Sequence, residues 1–456
     1  MPAVRVAFCL IGLLLTPPIS SAADRDFLPY EKVKAFVPVD LRVSNEAQWS
    51  AWRKTQDERI RARLEQGDLD SVVNLLLFGT SFTRQPRIRM DRITEASKAG
   101  ILRARVDDMV AGLRHPADNE RLAFVEQLLN KQGVDPQEPA KSGVFLFSNL
   151  MRVVQERISL GERVAVAQGL RREDSPDSLL DRETVFRDRG VSLDASILPN
   201  FLVERALRDL KDRGLLRDGE LSRVAVVGPG LDFIDKNEDF AYDYYPPQTL
   251  QPFALYDSLL RLKLAKGSAL SVSILDISPR VIQHLDRAIV RAVKNQGYVI
   301  QLPRNRSRGW NGDITAYWQS LGDQVGIAVE PIRPPAALPE LESRAVRIRP
   351  EVVRNLTATD LNIVLEHLRL PAQAKFDVIV GTNIFIYYDE FQQRLALENA
   401  AEMLKPGGFL ITNDKLPETP GGTMRLEGIT LVPDPVASPG GSLAVGWYQK
   451  ARRDAP

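Results

Sequence analysis

Two polar segments in this sequence directly follow apolar runs that predict buried strands. Residues 228–232 are Gly-Pro-Gly-Leu-Asp, and glycine at Gly228 and Gly230 lets the backbone turn sharply and lie flat against a ligand. Asp276 ends a second run, residues 271–275, where its charged carboxylate could accept two strong hydrogen bonds from the hydroxyl groups of a ribose. Strands of a parallel sheet end at a common ligand-binding edge, so the two segments predict one site. The alternative is that Asp276 binds no ligand and only marks the start of the helix that follows it.

The same two features are also found in proteins that bind nicotinamide dinucleotides. Their fingerprint requires a third glycine at position 233 and an acid about 20 residues after the glycines. Phe233 is not a glycine, and Asp276 lies much farther along the chain. Hydride transfer with a nicotinamide cofactor is therefore the less favoured interpretation.

A third pattern near the C-terminus combines a strand, a polar edge, a helix and a second strand. Residues 376–380 are Phe-Asp-Val-Ile-Val, residues 381–389 are Gly-Thr-Asn-Ile-Phe-Ile-Tyr-Tyr-Asp, and residues 404–411 are Leu-Lys-Pro-Gly-Gly-Phe-Leu-Ile. This order resembles the C-terminal half of class I S-adenosylmethionine-dependent methyltransferases. The Asn-x-x-Ile-Tyr step that ends at Tyr387 looks most like the chemotaxis-receptor glutamate methyltransferases. The resemblance covers residues 196–450 and implies S-adenosylmethionine as the cofactor.

The resemblance also nominates residues for the cofactor site. In the similar enzymes an Asn-Leu pair and the two residues before the Ile-Tyr step lie against the cofactor. The set implied for this chain, together with the glycine loop and the acid, is Gly228, Pro229, Gly230, Asp232, Asp276, Asn355, Leu356, Thr382 and Asn383.

Two positions depart from the pattern of the similar enzymes. Val226 stands where many of them carry a carboxylate, and Asp232 stands where they carry a further glycine. Asp232 could contact the methionine ammonium of the cofactor, or it could cap a helix.

Methyl transfer from a sulfonium needs a base only if the acceptor must lose a proton. The candidates are Tyr387, which resembles the family's substrate-side tyrosine, Asp243 and Asp389.

Asp243 belongs to residues 240–253, a segment with three tyrosines and several prolines. We expect this segment to form a rigid lid over the substrate, although the packing of a long loop would also explain its composition.

Composition excludes several other classes of function. Sixty basic and 59 acidic residues give a formal charge of +1, so no overall field attracts nucleic acid or an anionic membrane. Cys9 is the only cysteine, and His115, His284 and His367 have no metal-ligand spacing. We therefore predict no metal site, no nucleic-acid partner and no cysteine or histidine nucleophile; the methyl acceptor is unknown.

The first 23 residues predict a secretory signal peptide. Arg5 precedes an apolar run over residues 7–15, and small residues precede Asp24. Export to the periplasm or the extracellular space follows from this interpretation. The alternative is an uncleaved N-terminal membrane anchor, for which the run is short, since a spanning helix needs about 20 apolar residues.

The periodicity of the remaining chain predicts two domains. Residues 24–193 favour an all-helical domain with a core of Trp49, Trp52 and residues 75–78. Residues 194–456 favour an α/β fold: a Rossmann-like, mostly parallel methyltransferase sheet with an antiparallel C-terminal strand. The predicted strands are 223–227, 269–275, 298–302, 377–380, 409–412, 424–432 and 442–449, and the predicted helices are 196–213, 250–265, 279–294, 314–322, 360–368 and 390–404.

Two functions from different classes follow. The first is an S-adenosylmethionine-dependent methyltransferase that acts on a small molecule or a protein. The second is a non-catalytic adenosyl-binding or interaction protein that retains the fold. The export signal keeps this alternative open, because the cofactor is made in the cytosol.

Overall fold

The computed structural model describes residues 24–88, 95–170, 190, 191, 193, 196–234, 242–307, 309–336, 338–434 and 441–452. The predicted signal peptide, the predicted domain boundary at residue 194, and residues 240 and 241 of the predicted lid lie outside these residues. Among the helices of the described chain, none has the length and apolar character needed to cross a membrane.

The helices are Tyr30–Val33 (α1), Glu46–Phe78 (α2), Glu95–Leu113 (α3), Glu120–Lys131 (α4), Pro139–Leu170 (α5), Ile197–Asp212 (α6), Gln251–Arg261 (α7), Pro279–Val293 (α8), Gly312–Ser320 (α9), Pro350–Arg354 (α10) and Glu390–Met403 (α11). The strands are Arg25–Asp26 (β1), Arg223–Val227 (β2), Ser271–Asp276 (β3), Tyr298–Asn305 (β4), Gly326–Val329 (β5), Leu341–Ile348 (β6), Leu356–Asp360 (β7), His367–Leu368 (β8), Phe376–Val380 (β9), Leu404–Thr412 (β10), Met424–Pro433 (β11) and Ser442–Lys450 (β12).

Seven strands form the main sheet in the order β11-β12-β10-β9-β2-β3-β7. Strands β10, β9, β2, β3 and β7 are parallel to one another, and β12 is antiparallel to β10 and β11. The central strands β2 and β9 are apolar runs with most side chains buried, as expected for a sheet covered on both faces. The predicted α/β class, with a parallel sheet and an antiparallel C-terminal strand, is confirmed.

The predicted position of residues 298–302 in this sheet is wrong. β4 pairs antiparallel with β6, and β6 pairs antiparallel with β5, in a separate three-stranded sheet. Strand β7 instead forms the edge of the main sheet next to β3, and only Leu356 of this strand is fully buried. A half-exposed edge strand needs no continuous apolar run, so its sequence carries a weak signal.

The predicted helix over residues 360–368 is also wrong. The segment contains the end of β7, a turn and β8. Asn362 stabilises the turn, since its side-chain oxygen accepts a hydrogen bond from the Val364 amide (3.2 Å). All residues from 361 to 368 are buried, which a helix with one apolar face would not allow.

Helix α2 joins two hydrophobic cores and corrects the predicted core of the helical region. Trp49 and Trp52 stack on each other with ring centroids 4.9 Å apart and contact Phe391 of the methyltransferase region. Leu75 and Phe78, at the other end of the same helix, belong to a separate core formed with α3, α4 and α5. Trp49 therefore lies in the core that contains the main sheet.

The middle of α2 lies against the segment that precedes α6. The Val191 amide donates to the carbonyl of Arg63 (3.0 Å). Gly67 faces the same segment so closely that a β-carbon at this position would lie 1.8 Å from the Val191 carbonyl oxygen. Glycine in the middle of this helix is required by the close approach of a second backbone.

We expect Gly67→Ala to lower the free energy of unfolding by about 1–3 kcal/mol, because the added methyl group must separate α2 from Val191. Denaturant titration measures this change. Gly100→Ala in α3 is the matched control: no atom lies within 4 Å of a β-carbon there, so helix propensity alone should stabilise the protein by up to about 1 kcal/mol. Equal effects of the two substitutions would contradict the close contact.

Candidate functional site

A cleft of about 270 Å³ lies at the carboxyl ends of β2, β3 and β9. Parallel strands bring their carboxyl ends to one edge, so residues far apart in the sequence meet there. Its lining residues are Leu64, Val191, Leu193, Ser196, Pro199, Asn200, Val227, Gly228, Pro229, Gly230, Gln251, Leu275, Asp276, Ile277, Leu361, Ile363, Thr382, Asn383, Ile384, Ile386, Tyr387 and Tyr388.

The glycine loop after β2 forms one wall of the cleft. Gly228 has φ +60° and Gly230 has φ +74°, conformations that residues with a β-carbon rarely adopt. The Gly228 amide donates to the carbonyl of Leu275 (2.9 Å). A β-carbon at Gly228 would lie 2.2 Å from Cδ1 of Ile384, which lines the opposite wall.

Asp276 presents a carboxylate oxygen without a hydrogen-bond partner among the described residues. The residue is 4% exposed; Oδ1 accepts from the Ser278 amide (2.7 Å), and Oδ2 has no partner. Burial, and secondarily the negative charge of Asp360, raises the pKa of Asp276 to about 7. An unpaired buried carboxylate costs free energy, and a ligand that donates hydrogen bonds would offset that cost.

The segment after β9 forms the opposite wall. Thr382 Oγ1 accepts from Gln251 Nε2 (2.8 Å). Asn383 has φ +58°, and Asn413 holds it there by accepting from its amide (2.8 Å) and donating to its side-chain oxygen (2.7 Å). Non-glycine residues in this conformation are concentrated at functional sites.

The N-terminal region contributes to the cleft, which the sequence did not predict. Leu64 of α2 and Val191 line it, and Arg63 Nη1 donates to the carbonyl of Tyr387 (2.6 Å). These contacts join residues more than a hundred positions apart, and no local pattern reports them. Ser196 and Asn200 at the start of α6 also line the cleft. The signal available in the sequence was that the predicted helix containing them precedes the strand that carries the glycine loop.

Of the predicted cofactor residues, Gly228, Pro229, Gly230, Asp276, Thr382 and Asn383 meet in this cleft, and the predicted substrate-side Tyr387 lies with them. Asn355 and Leu356 do not, and their predicted place requires correction. They stand at the amino end of β7, where Leu356 pairs with Val272, whereas the cleft lies at the end where Asp360 pairs with Asp276. The Asn355 side chain donates to the hydroxyl of Tyr256 (3.0 Å).

Asp232 is also absent from the lining of the cleft. Its Oδ2 accepts from the hydroxyl of Tyr245 (2.8 Å) and from Gln248 Nε2 (3.1 Å). It lines a separate cavity of about 40 Å³ that shares Ser196 with the cleft. The contact of Asp232 to the cofactor and its role as a helix cap both stay predictions.

Two of the three candidate bases have structural partners instead. Asp389 caps α11: its side chain accepts from the Gln392 amide (2.8 Å), and Gln392 Oε1 accepts from the Asp389 amide (3.1 Å), which is a capping box. Asp243 is buried and accepts from the amides of Thr80 (2.8 Å) and Ser81 (2.8 Å). Burial opposes its ionisation, but the positive charge of Arg121 and these hydrogen bonds hold the pKa of Asp243 below its ordinary value.

The predicted lid is packed into the protein. Tyr242 and Tyr245 are buried, and the hydroxyl of Tyr244 lies 2.6 Å from that of Ser343 on β6. None of these tyrosines lines the cleft. The packing interpretation of this segment is therefore favoured over an open lid.

Two of the three histidines, His284 and His367, have partners other than metals. His284 Nε2 lies 2.7 Å from the Tyr298 hydroxyl, and His367 Nδ1 lies 3.0 Å from Asn399 Oδ1. Within the residues that the structure describes, no group of three or more histidine, cysteine or acidic residues could hold a metal ion.

One part of the chain matches a known protein family. Residues 338–423, which include the wall after β9, match the model of the CheR methyltransferase, SAM-binding domain. No protein of curated function matches the sequence. The match supports an S-adenosylmethionine-dependent methyltransferase related to CheR, with S-adenosylmethionine as the cofactor.

Solved structures of methyltransferases resemble the chain only weakly. The N-methyltransferase NodS from Bradyrhizobium japonicum WM9 is 12% identical, with a TM-score of 0.26 over 55% of this chain and 94% of NodS. Magnesium protoporphyrin IX methyltransferase (ChlM) from Synechocystis PCC 6803 with bound SAM is 10% identical, with a TM-score of 0.25 over 56% of this chain and 81% of that protein. Likenesses of this size support no conclusion of their own.

We expect Gly228→Val to weaken binding of S-adenosylmethionine at least tenfold, because the new side chain must displace Ile384 and strain the loop. Isothermal titration calorimetry measures the affinity. Gly421→Val is the matched control, since Gly421 also has positive φ (+74°) but no atom within 4 Å of a β-carbon. A similar loss of affinity in both variants would show that the effect is not local to the cleft.

We expect Asp243→Asn to lower the free energy of unfolding by about 3 kcal/mol at pH 7, because a neutral amide cannot satisfy the amides of Thr80 and Ser81. The folded-state pKa is lowered, so the stabilisation is complete above the ordinary value of 3.8. It is lost as the pH falls through the folded-state pKa. Denaturant titrations at several pH values measure this; unchanged stability with lost methyl transfer would restore Asp243 as a base.

Proposed function

We propose that this protein transfers a methyl group from S-adenosylmethionine, in line, to a small-molecule or protein acceptor. The observation that carries the proposal is the buried, unpartnered Oδ2 of Asp276, between the glycine loop and the Thr382-Asn383 wall. The cleft combines this carboxylate and a few other polar side chains with apolar walls, the composition typical of cofactor sites.

The residues of the cleft fit the cofactor. Asp276 would hold the ribose hydroxyls, and the backbone of Gly228 and Gly230 would lie along the chain that links the ribose to the amino acid. Ile277 and Ile363, which line the same end of the cleft as Asp276, would provide an apolar surface for the adenine.

The bound cofactor would supply a methyl group that is already activated on a sulfonium. The protein's contribution is then to hold the acceptor atom in line and at contact distance, which can lower the barrier by several kcal/mol. Helix α2 would exclude water, because Leu64 and the Arg63–Tyr387 contact close one side of the cleft. Tyr387 is the remaining candidate base, since it alone of the three lines the cleft.

We propose in addition that residues 1–23 direct export, with an uncleaved anchor as the alternative. The charged Arg5 and the apolar run over residues 7–15 support this. N-terminal sequencing of the protein from a cell fraction would distinguish cleavage before Asp24 from retention.

The competing function is an adenosyl-binding protein without catalysis. Transfer of a radiolabelled methyl group from S-adenosylmethionine to components of a cell extract separates the two. Label in a product, lost with Asp276→Asn, supports the enzyme. Calorimetric binding without any labelled product supports the binding protein.

Asp276→Asn should weaken cofactor binding at least tenfold at pH 8, because the ionised carboxylate accepts the ribose hydroxyls more strongly than an amide does. The pKa of Asp276 is raised to about 7, so the carboxyl is protonated below this pH and ionised above it. Affinity of the wild-type protein should therefore rise as the pH increases from 6 to 8.

Calorimetry of both proteins over this pH range provides the measurement. The asparagine variant serves as the reference, because ionisation of the cofactor itself affects both proteins equally. If the ratio of the two affinities does not change with pH, Asp276 does not bind the ribose as a carboxylate.

A further inference from the structure

A second, larger cavity lies beside the cofactor cleft. It has a volume of about 950 Å³ and is enclosed by α4, α8 and the three-stranded sheet of β4, β5 and β6. We call it the arginine cavity, after Arg280, Arg287, Arg291 and Arg347, which line it. The 40 Å³ cavity next to the cleft shares Gln248 and Gln301 with it. Leu231, near the end of the glycine loop, lines it, but Gly228, Gly230 and Asp276 do not.

The cavity carries an excess of positive charge. Its four arginines face two acids, Glu120 and Glu330. Arg280 is neutralised by Asp68, at 2.5 Å. Arg287, Arg291 and Arg347 are exposed and form no ion pair or hydrogen bond with the side chains of the described chain. Three guanidinium groups without an ion pair among the described residues, against two acids, leave this concavity with a net positive charge that attracts an anion.

His284 lies among these arginines. It is buried at the base of the cavity, with Nε2 2.7 Å from the Tyr298 hydroxyl. Burial, followed by the positive charges of Arg287, Arg291 and Arg280, lowers the pKa of His284 to about 4. The imidazole is therefore neutral at physiological pH and adds no charge of its own to the cavity.

Two exposed aliphatic side chains, Val299 and Ile332, line part of the cavity. Val299 of β4 and Ile327 of β5 both pair with Arg347 of β6, so the three side chains form a row across one face of the small sheet. Val299 is 39% exposed and Ile332, which also lines the cavity, is 40% exposed. Exposed aliphatic side chains beside unpaired guanidinium groups fit a ligand that has both an apolar and an anionic part.

From this arrangement we infer that the arginine cavity is a binding site for an amphiphilic anion, a molecule with a carboxylate or phosphate group on an apolar body. Arg287, Arg291 and Arg347 bind the anionic group, and Val299 and Ile332 contact the apolar part. The inference does not depend on methyl transfer, because Gly228, Gly230, Asp276 and the wall after β9 do not line the cavity.

Titration calorimetry on the full chain with octanoate, octyl phosphate, octanol and inorganic phosphate tests this site. We expect saturable binding of one octanoate or octyl phosphate per chain, at least tenfold tighter than binding of octanol or inorganic phosphate. The anion that binds with the higher affinity shows whether the site prefers a carboxylate or a phosphate group. No saturable binding of either anion, or equal affinity for octanol, would overturn the inference.

Variants locate the binding. Arg287→Gln combined with Arg291→Gln should weaken the anion at least tenfold, and Arg347→Gln, on a different element, should weaken it independently. Arg223→Gln is the control, because Arg223 is equally exposed at the amino end of β2 and does not line the cavity. Equal losses in the control would assign the binding to general surface charge.

Affinity for S-adenosylhomocysteine, measured on the same proteins, separates the two proposals. It should be the same in the arginine variants and in wild type, which also verifies that the variants are folded. A wild type that binds octyl phosphate but no cofactor product would contradict the proposed methyl transfer and leave the anion site standing.

Discussion

The position of the N-terminal helix and the free oxygen in the cleft both depend on two aspartates at the ends of adjacent strands. Asp276 and Asp360 are paired residues of β3 and β7, so two carboxylates lie close together at one sheet edge. Arg61 of α2 binds the outer one, with Nη2 3.0 Å from Asp360 Oδ1. The inner one keeps an unpartnered oxygen. The salt bridge thus brings the N-terminal helix to the sheet and leaves Asp276 available to a ligand.

The helical region is consequently part of the wall of the cleft. Its long helix α2 packs Trp49 into the core of the sheet domain and Leu75 into the helical core, so the two regions share an element. A buried guanidinium strengthens the junction: Arg121 Nε donates to the carbonyl of Phe233 (2.6 Å), and Nη1 donates to that of Asp243 (3.2 Å). Buried donors satisfied by fixed carbonyls hold a unique arrangement. Asp243, a candidate base by sequence, is thereby explained as part of this junction.

The failures of the sequence predictions have specific physical causes. Residues 298–302 form a strand, as predicted, but strand propensity does not specify the partner. β7 was not predicted because an edge strand needs only one buried face. Asn355 and Leu356 carry the expected residue types, yet the direction of β7 places them at the amino end of the sheet, opposite the cleft.

The sequence by itself determined which residues meet at the edge of the sheet that carries the cleft. Gly228, Gly230, Asp276 and Asn383 follow strands that are recognisable from contiguous apolar residues, and parallel strands necessarily end at one edge. Only the tertiary structure decided what surrounds that edge: the cover provided by α2, the partners of Asp232 and Asp243, and the arginine cavity. These features depend on contacts between residues distant in sequence, and such contacts form through the packing of the whole chain, which no local pattern encodes.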